Sequence, residues 1–151
     1  MLVFAILLGV FAALHIPPLG RLAPFRTRTA KAAWAMAAMF FFTGADHFLN
    51  PARYLPMMPP YVPFPRAMIY ISGFFELLGA AGLLVPRVRR WAAWGLVALL
   101  VAVFQANIYV AVKGITIAGL PDAAWYYWVR LPLQFGLIGW AVWIGRAERT
   151  A

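Results

Sequence analysis

Residues 67–86 read AMIYISGFFELLGAAGLLVP, a run of membrane-spanning length whose only charged residue is Glu76. Nine helical steps from Ala67 put Glu76 roughly 14 Å along such a helix. That is near the middle of a hydrocarbon layer about 30 Å thick. A carboxylate at that depth is costly, so it must face protein, hold a proton or have a partner. The run asks for a helix, and its glutamate asks for other helices around it.

Four further apolar stretches can supply them: residues 2–16, 32–48, 91–112 and 124–145. The chain is 65% hydrophobic and 11% charged over 151 residues, with a mean hydropathy of +0.81. A soluble domain of this size has too little interior for so much apolar side chain. The expected fold is therefore all-α: one polytopic transmembrane bundle spanning residues 1–151, with five spans. The lipid bilayer is its first partner. The first stretch is short and ends at Pro17-Pro18. A cleaved signal peptide is the alternative there, but no basic segment precedes the apolar core. There are no cysteines, so disulfides, thiol redox chemistry and cysteine-ligated metals are excluded.

The formal charge of +9 would suggest nucleic acid in a soluble protein, but the charges sort by connection. Arg21, Arg26, Arg28 and Lys31 lie between the first two stretches, Arg87, Arg89 and Arg90 between the third and fourth, and Arg146 and Arg149 after the fifth. The alternate connections hold only Arg53, Arg66 and Lys113, with Arg130 inside the last stretch. The positive-inside rule places the first group in the cytoplasm, the N-terminus outside and the C-terminus inside. Basic charge is thus a topology signal and an attraction to anionic lipid; nucleic acid is not expected as a partner.

The outer connection NPARYLPMMPPYVPFPR holds six of the twelve prolines. Proline fixes φ and removes a backbone donor, so no long helix can form there. Tyr54, Met57, Met58, Tyr61 and Phe64 make the segment apolar and the prolines make it stiff, so it is either a rigid connector or, with Tyr54, Met58, Pro59, Pro60 and Tyr61 as the candidate residues, a lid over an outward-facing pocket.

Given this topology, the polar residues of the spans fall in one slab. Asp46 and His47 end the second stretch; Ser72 and Glu76 lie in the outer half and middle of the third. Gln105 and Asn107 lie past the middle of the fourth, and Arg130 and Gln134 in the outer half of the fifth. Ser72 and Glu76 are four residues apart and share a face with Gly73, Gly79 and Ala80, a small-residue face suited to close helix packing. Gln105 and Asn107 are about 200° apart on a regular helix and should not face one point. Glu76, Arg130, Asn107, Gln134, His47 and Ser72 are the candidate ligand-binding set, with a Glu76–Arg130 charge pair at its centre. The plainer reading is that these groups only glue helices together. Trp125, Tyr126, Tyr127 and Trp128 read as an interfacial aromatic belt, with pocket lining as the alternative. His15 and His47 fall at opposite ends of the bundle and cannot share a haem. A zinc site needs more ligands than the slab offers.

The residues around His47, Phe48, Pro51, Tyr54, Met58, Pro59, Pro60 and Pro63 resemble the DoxX-like family of small bacterial membrane proteins. The same holds for SGFFELLGAAGLLVPRVRRWAAWGL from Ser72, for AVFQANIY, and for RLPLQ around Arg130. The resemblance covers roughly residues 31–146. It implies a four-helix core, with residues 2–16 as an added first helix, and a place in the bacterial inner membrane. It also implies a link to quinone-coupled oxidoreduction, without a transferable catalytic residue.

The expected function is an outward-facing intramembrane pocket for a small amphipathic molecule, of which a quinone is one, in a redox or envelope-stress system. The sequence demands no cofactor, and whether the protein is an enzyme is left open. A membrane or redox protein is the expected partner, and a homo-oligomer is compatible. The alternative is a non-catalytic assembly factor or scaffold whose buried polar residues only pack the helices.

Overall fold

The computed structural model describes residues 2–17 and 19–147; Arg149, counted above among the inner charges, lies outside them. Among the described residues all regular structure is helical. α1 covers Leu2–Ala13, α2 Arg28–Leu49, α3 Pro51–Tyr54, α4 Pro65–Leu84, α5 Arg89–Lys113 and α6 Ala124–Ala147.

The boundaries follow local chemistry. Thr27 caps α2, its Oγ1 accepting from Ala30 N at 3.0 Å, which satisfies one of the helix's orphan donors. The proline-rich stretch yields only the four-residue α3 and a 3₁₀ turn at Leu55–Met57, as the missing donors dictate. α4 starts at Pro65, where a fixed φ suits the first helical position. α5 stops at Gly114, whose φ of 62° is left-handed, a conformation glycine adopts without a Cβ penalty.

α2 packs most extensively on α4 and α5 on α6, with α4 against α5 and a lighter α2–α6 contact closing the ring. α1 lies on the outside of α2. Phe11 meets Trp140 edge to face at 5.0 Å, and Trp140 Nε1 donates to Ala32 O at 3.2 Å. The first contact holds α1 to α6, and the second holds α6 to α2.

Small residues set the helix spacing, as the shared face of Gly73, Gly79 and Ala80 foretells. α2 and α4 cross where a Cβ on Gly73 would stand 2.7 Å from His47 Cβ and 3.1 Å from Gly44 O. α4 and α5 meet where a Cβ on Gly79 would stand 2.5 Å from Leu96 Cδ2, and one on Gly82 2.7 Å from Ala92 Cβ. These last contacts lie towards the end of the bundle carrying Arg87, Arg89 and Arg90. Around them Ala32, Met36, Leu83, Leu96 and Ile144 form the main apolar core. A second, smaller cluster of Met57, Val110, Ile117, Tyr126 and Tyr127 lies at the proline-capped end.

Among the described residues two helices, α4 and α5, are long and apolar enough to cross a membrane, rather than the five expected. Only 33% and 28% of their apolar windows are buried, unlike the core helices of a soluble domain. α1 is the clearest departure: its 12 residues rise only about 18 Å, short of a hydrocarbon layer of about 30 Å. α2 and α6 have the length, at 22 and 24 residues. Their polar content dilutes them: Arg28, Lys31, Asp46 and His47 in α2, and Tyr126, Tyr127, Arg130 and Gln134 in α6.

Candidate functional site

A cavity of about 470 Å³ opens between the two apolar clusters, beneath the proline-rich segment. It takes residues from every long helix and from the tip of α1, where Val3 and Phe4 reach its wall. All six candidate ligand-binding residues line it. Their common depth was legible; their pairing differs from expectation.

Glu76 is 8% exposed, and its Oε2 is buried with no hydrogen-bond partner. Its nearest cationic candidate is His47 on α2, with Nδ1 3.6 Å from that oxygen. The distance is too long for a hydrogen bond, and Nδ1 instead donates to Thr43 O at 3.0 Å. The expected Glu76–Arg130 pair does not form. The reason is the α2–α4 crossing: Gly73, three residues before Glu76, lets the His47 backbone approach so closely that the imidazole takes the place beside the carboxylate. Ser72 faces the cavity but spends its hydroxyl on Ile69 O at 2.9 Å.

Across the cavity α5 and α6 are laced by a directed chain of hydrogen bonds. Arg130 Nη2 donates to Asn107 Oδ1 at 3.0 Å. Asn107 Nδ2 donates to Gln134 Oε1, and Gln134 Nε2 donates to Leu100 O at 2.8 Å. Gln134 is 4% exposed, so its work is to orient Asn107. Arg130 makes only this one hydrogen bond among the described residues, and a guanidinium has five N–H donors. The cavity is therefore walled by an unsatisfied carboxylate on one side and by spare cationic donors on the other. Between them the lining is apolar, with Met68, Val103, Leu133 and Leu137 among its residues.

Gln105 and Asn107 both border the cavity although α5 is an unbroken helix. Asn107 points inward, whereas the exposed Gln105 sits at the rim and accepts from Tyr61 OH at 3.0 Å. That bond ties the tip of the proline-rich segment to α5. Tyr54, Met58 and Pro59 line the cavity beneath the same segment; Pro60 and Tyr61 are exposed on top of it. Met57, read from sequence as one of the segment's apolar residues but not as part of the lid, is buried at the same place and belongs with them.

Asp46 was placed in the polar slab by sequence but left out of the candidate set. Its Oδ2 accepts from Tyr54 OH at 2.6 Å and Arg53 Nη1 at 2.9 Å, and its Oδ1 from Asn50 Nδ2 at 2.6 Å. The carboxylate anchors α3, and with it the cap, to the end of α2. Tyr54 in turn stacks on His47 at 4.1 Å between ring centroids. Burial, then the bond to Asp46, pushes the Tyr54 phenol well above the usual tyrosine range. It therefore remains a neutral donor.

The aromatic run of α6 divides by helical angle. Trp125 and Trp128 are exposed, as a belt requires, but Tyr126 and Tyr127 are buried. Tyr126 lines the cavity, and Tyr127 OH accepts from Ile117 N at 2.9 Å, fastening the loop between α5 and α6. His15 bonds Phe11 O at 2.7 Å on α1 and has no part in the cavity.

No curated protein and no solved structure matches the chain. Residues 36–145 match a family described as Domain of unknown function (DUF8561), a span that starts within α2 and leaves out α1. With well over half of its length matched, the chain belongs to that family.

Proposed function

We propose that this protein is a multi-pass membrane protein whose cavity takes up a small amphipathic molecule from the outer half of the bilayer. α2, α4, α5 and α6 would cross, with α1 inserted part-way, the proline-rich cap outside and the end of α6 inside. The exposed Phe74, Phe75 and Leu78 on α4, Val101 and Val112 on α5, and Phe135 on α6 support burial of these faces in lipid, since a soluble surface rarely carries so much contiguous apolar area. Loop charge supplies the orientation.

The observation that carries the binding reading is Glu76 Oε2, buried and unpartnered at the wall of a 470 Å³ cavity. An orphaned acceptor in such a place is costly to the empty protein. A ligand that donates a hydrogen bond, or a proton, removes that cost. The spare donors of Arg130 opposite suit a carbonyl or other acceptor on the same molecule. An apolar body with a hydroxyl at one end and an acceptor oxygen at the other fits both walls, and of the quinone class it is the quinol head group that has that form, one O–H donating to Glu76 and the other oxygen accepting from Arg130. The DoxX-like resemblance favours the same class and a redox or envelope-stress setting. No residue of the chain carries electrons itself, so electron transfer would need a partner or bound cofactor.

The test is mass spectrometry of small molecules retained after extraction into native nanodiscs. Wild type should hold a molecule that Glu76→Gln and Arg130→Gln lose. Retention no greater than that of empty nanodiscs would reject the reading. The second reading, an assembly factor with a glued core, draws on the saturated Gln134 chain. It would be favoured by an empty cavity together with a reproducible protein partner.

A further inference from the structure

A second cavity, of about 220 Å³, lies at the opposite, basic end of the bundle, where the start of α2, the end of α4 and the start of α5 meet. Arg26, Thr27 and Trp34 form one side, and Leu84 and Arg89 the other. Arg89 is 7% exposed, and its Nε donates to Leu83 O at 2.8 Å, which fixes the guanidinium at the wall. Phe25 braces Trp34 edge to face at 5.3 Å, so the apolar side is equally rigid. Thr27 Oγ1 accepts from Ala30 N, which leaves its hydroxyl hydrogen free to donate.

Among the described residues no acid lines the cavity, and neither α2 nor α5 has an acidic residue in its first turn. The partial positive charge of two helix N-termini therefore adds to that of the arginines. Arg28, Lys31, Arg87 and Arg90 follow closely in the chain and deepen the same potential.

We propose that this cavity binds the phosphate of an anionic amphiphile. The phosphate sits between Arg26 and Arg89 in charge-assisted hydrogen bonds, and the apolar part runs along Trp34 and Leu84. A phospholipid head group and a free phosphate share the anion chemistry; the braced apolar wall favours the lipid. The lipid source rests on the membrane placement proposed above, whereas the anion site does not. That placement puts the cavity in the cytoplasmic leaflet, where anionic lipid is concentrated. It is independent of the larger cavity at the capped end.

The experiment is native mass spectrometry of the full chain in neutral detergent with equimolar phosphatidylglycerol and phosphatidylcholine, alongside calorimetry with inorganic phosphate. Phosphatidylglycerol adducts should dominate. Arg26→Gln should weaken them about tenfold, the loss expected for one charge-assisted hydrogen bond. Arg66→Gln, at the capped end, should leave them unchanged. Because Arg89 also holds Leu83 O, Arg89→Lys serves as the second variant, keeping the charge while losing the fork, and should also weaken retention. Equal retention of the two lipids overturns the lipid assignment, as does Arg26-dependent binding of inorganic phosphate without a lipid preference. A phosphatidylglycerol preference that survives both Arg26→Gln and Arg89→Lys overturns the site.

Discussion

Gly73→Ala tests the packing that places His47 beside Glu76. The added Cβ would stand 2.7 Å from His47 Cβ, 3.1 Å from Gly44 O and 3.1 Å from Phe48 Cε2. The first two atoms move only if the α2 backbone moves, so rotamer change offers no escape. Overpacking of this kind costs about 1–3 kcal/mol, against a helix-propensity gain of up to about 1 kcal/mol for replacing glycine by alanine. Gly136→Ala on α6 is the internal control, because nothing lies within 4 Å of its Cβ and only the propensity gain remains. The two variants should therefore differ by about 1–3 kcal/mol. At about 2–4 °C per kcal/mol for a chain of this size, Gly73→Ala should melt some degrees below Gly136→Ala. Tryptophan fluorescence on heating in one detergent reads the difference directly. A Gly73→Ala protein that melts at or above Gly136→Ala would refute the α2–α4 crossing and the His47 placement built on it.

Double-mutant cycles should give Glu76 and His47 a coupling of about 0.5–3 kcal/mol, and Glu76 and Arg130 less than about 0.5 kcal/mol; the reverse ranking would restore the Arg130 pairing. Tyr61→Phe removes the bond to Gln105, and external proteolysis of the 55–65 segment should quicken while thermal stability stays within about 0.5 kcal/mol; unchanged cleavage would make the segment a plain connector. Impermeant thiol reagents on intact cells should label a cysteine introduced at Ala52 and spare one at Val88, and the opposite pattern would invert the topology. Tyr54 should keep its proton well above the usual tyrosine range. Above the ordinary phenol value of 10.0 the unfolded chain releases a proton that the folded one holds, so stability falls as pH rises. Tyr54→Phe should flatten that fall, and an unchanged pH slope would exclude the Asp46 bond.

Much of the site was legible because depth along a helix is arithmetic. Glu76, Asn107, Arg130 and Gln134 could be placed in one slab from residue counts alone, and they do line one cavity. Azimuth between helices is a different quantity. It depends on which small residues make the crossings, and Gly44–Gly73 brought His47, not Arg130, to the carboxylate. The same limit affected α6, where four consecutive aromatics read as one belt although helical geometry turns Tyr126 and Tyr127 inward. Asp46 was left out of the candidate set because its partners Asn50, Arg53 and Tyr54 lie across a helix break. Acceptor and donors four, seven and eight residues apart were the available signal. α1 was read as a full span because apolar residues run to Ile16, whereas the helix ends at Ala13.

Whether the larger cavity holds a ligand is the central question, and density in it is the most direct answer. A structure of the protein taken from its membrane in native nanodiscs, without detergent stripping, should show non-protein density within hydrogen-bonding distance of Glu76 Oε2 and Arg130. A cavity collapsed around Glu76, or one holding only water between the carboxylate and the guanidinium, would contradict the account.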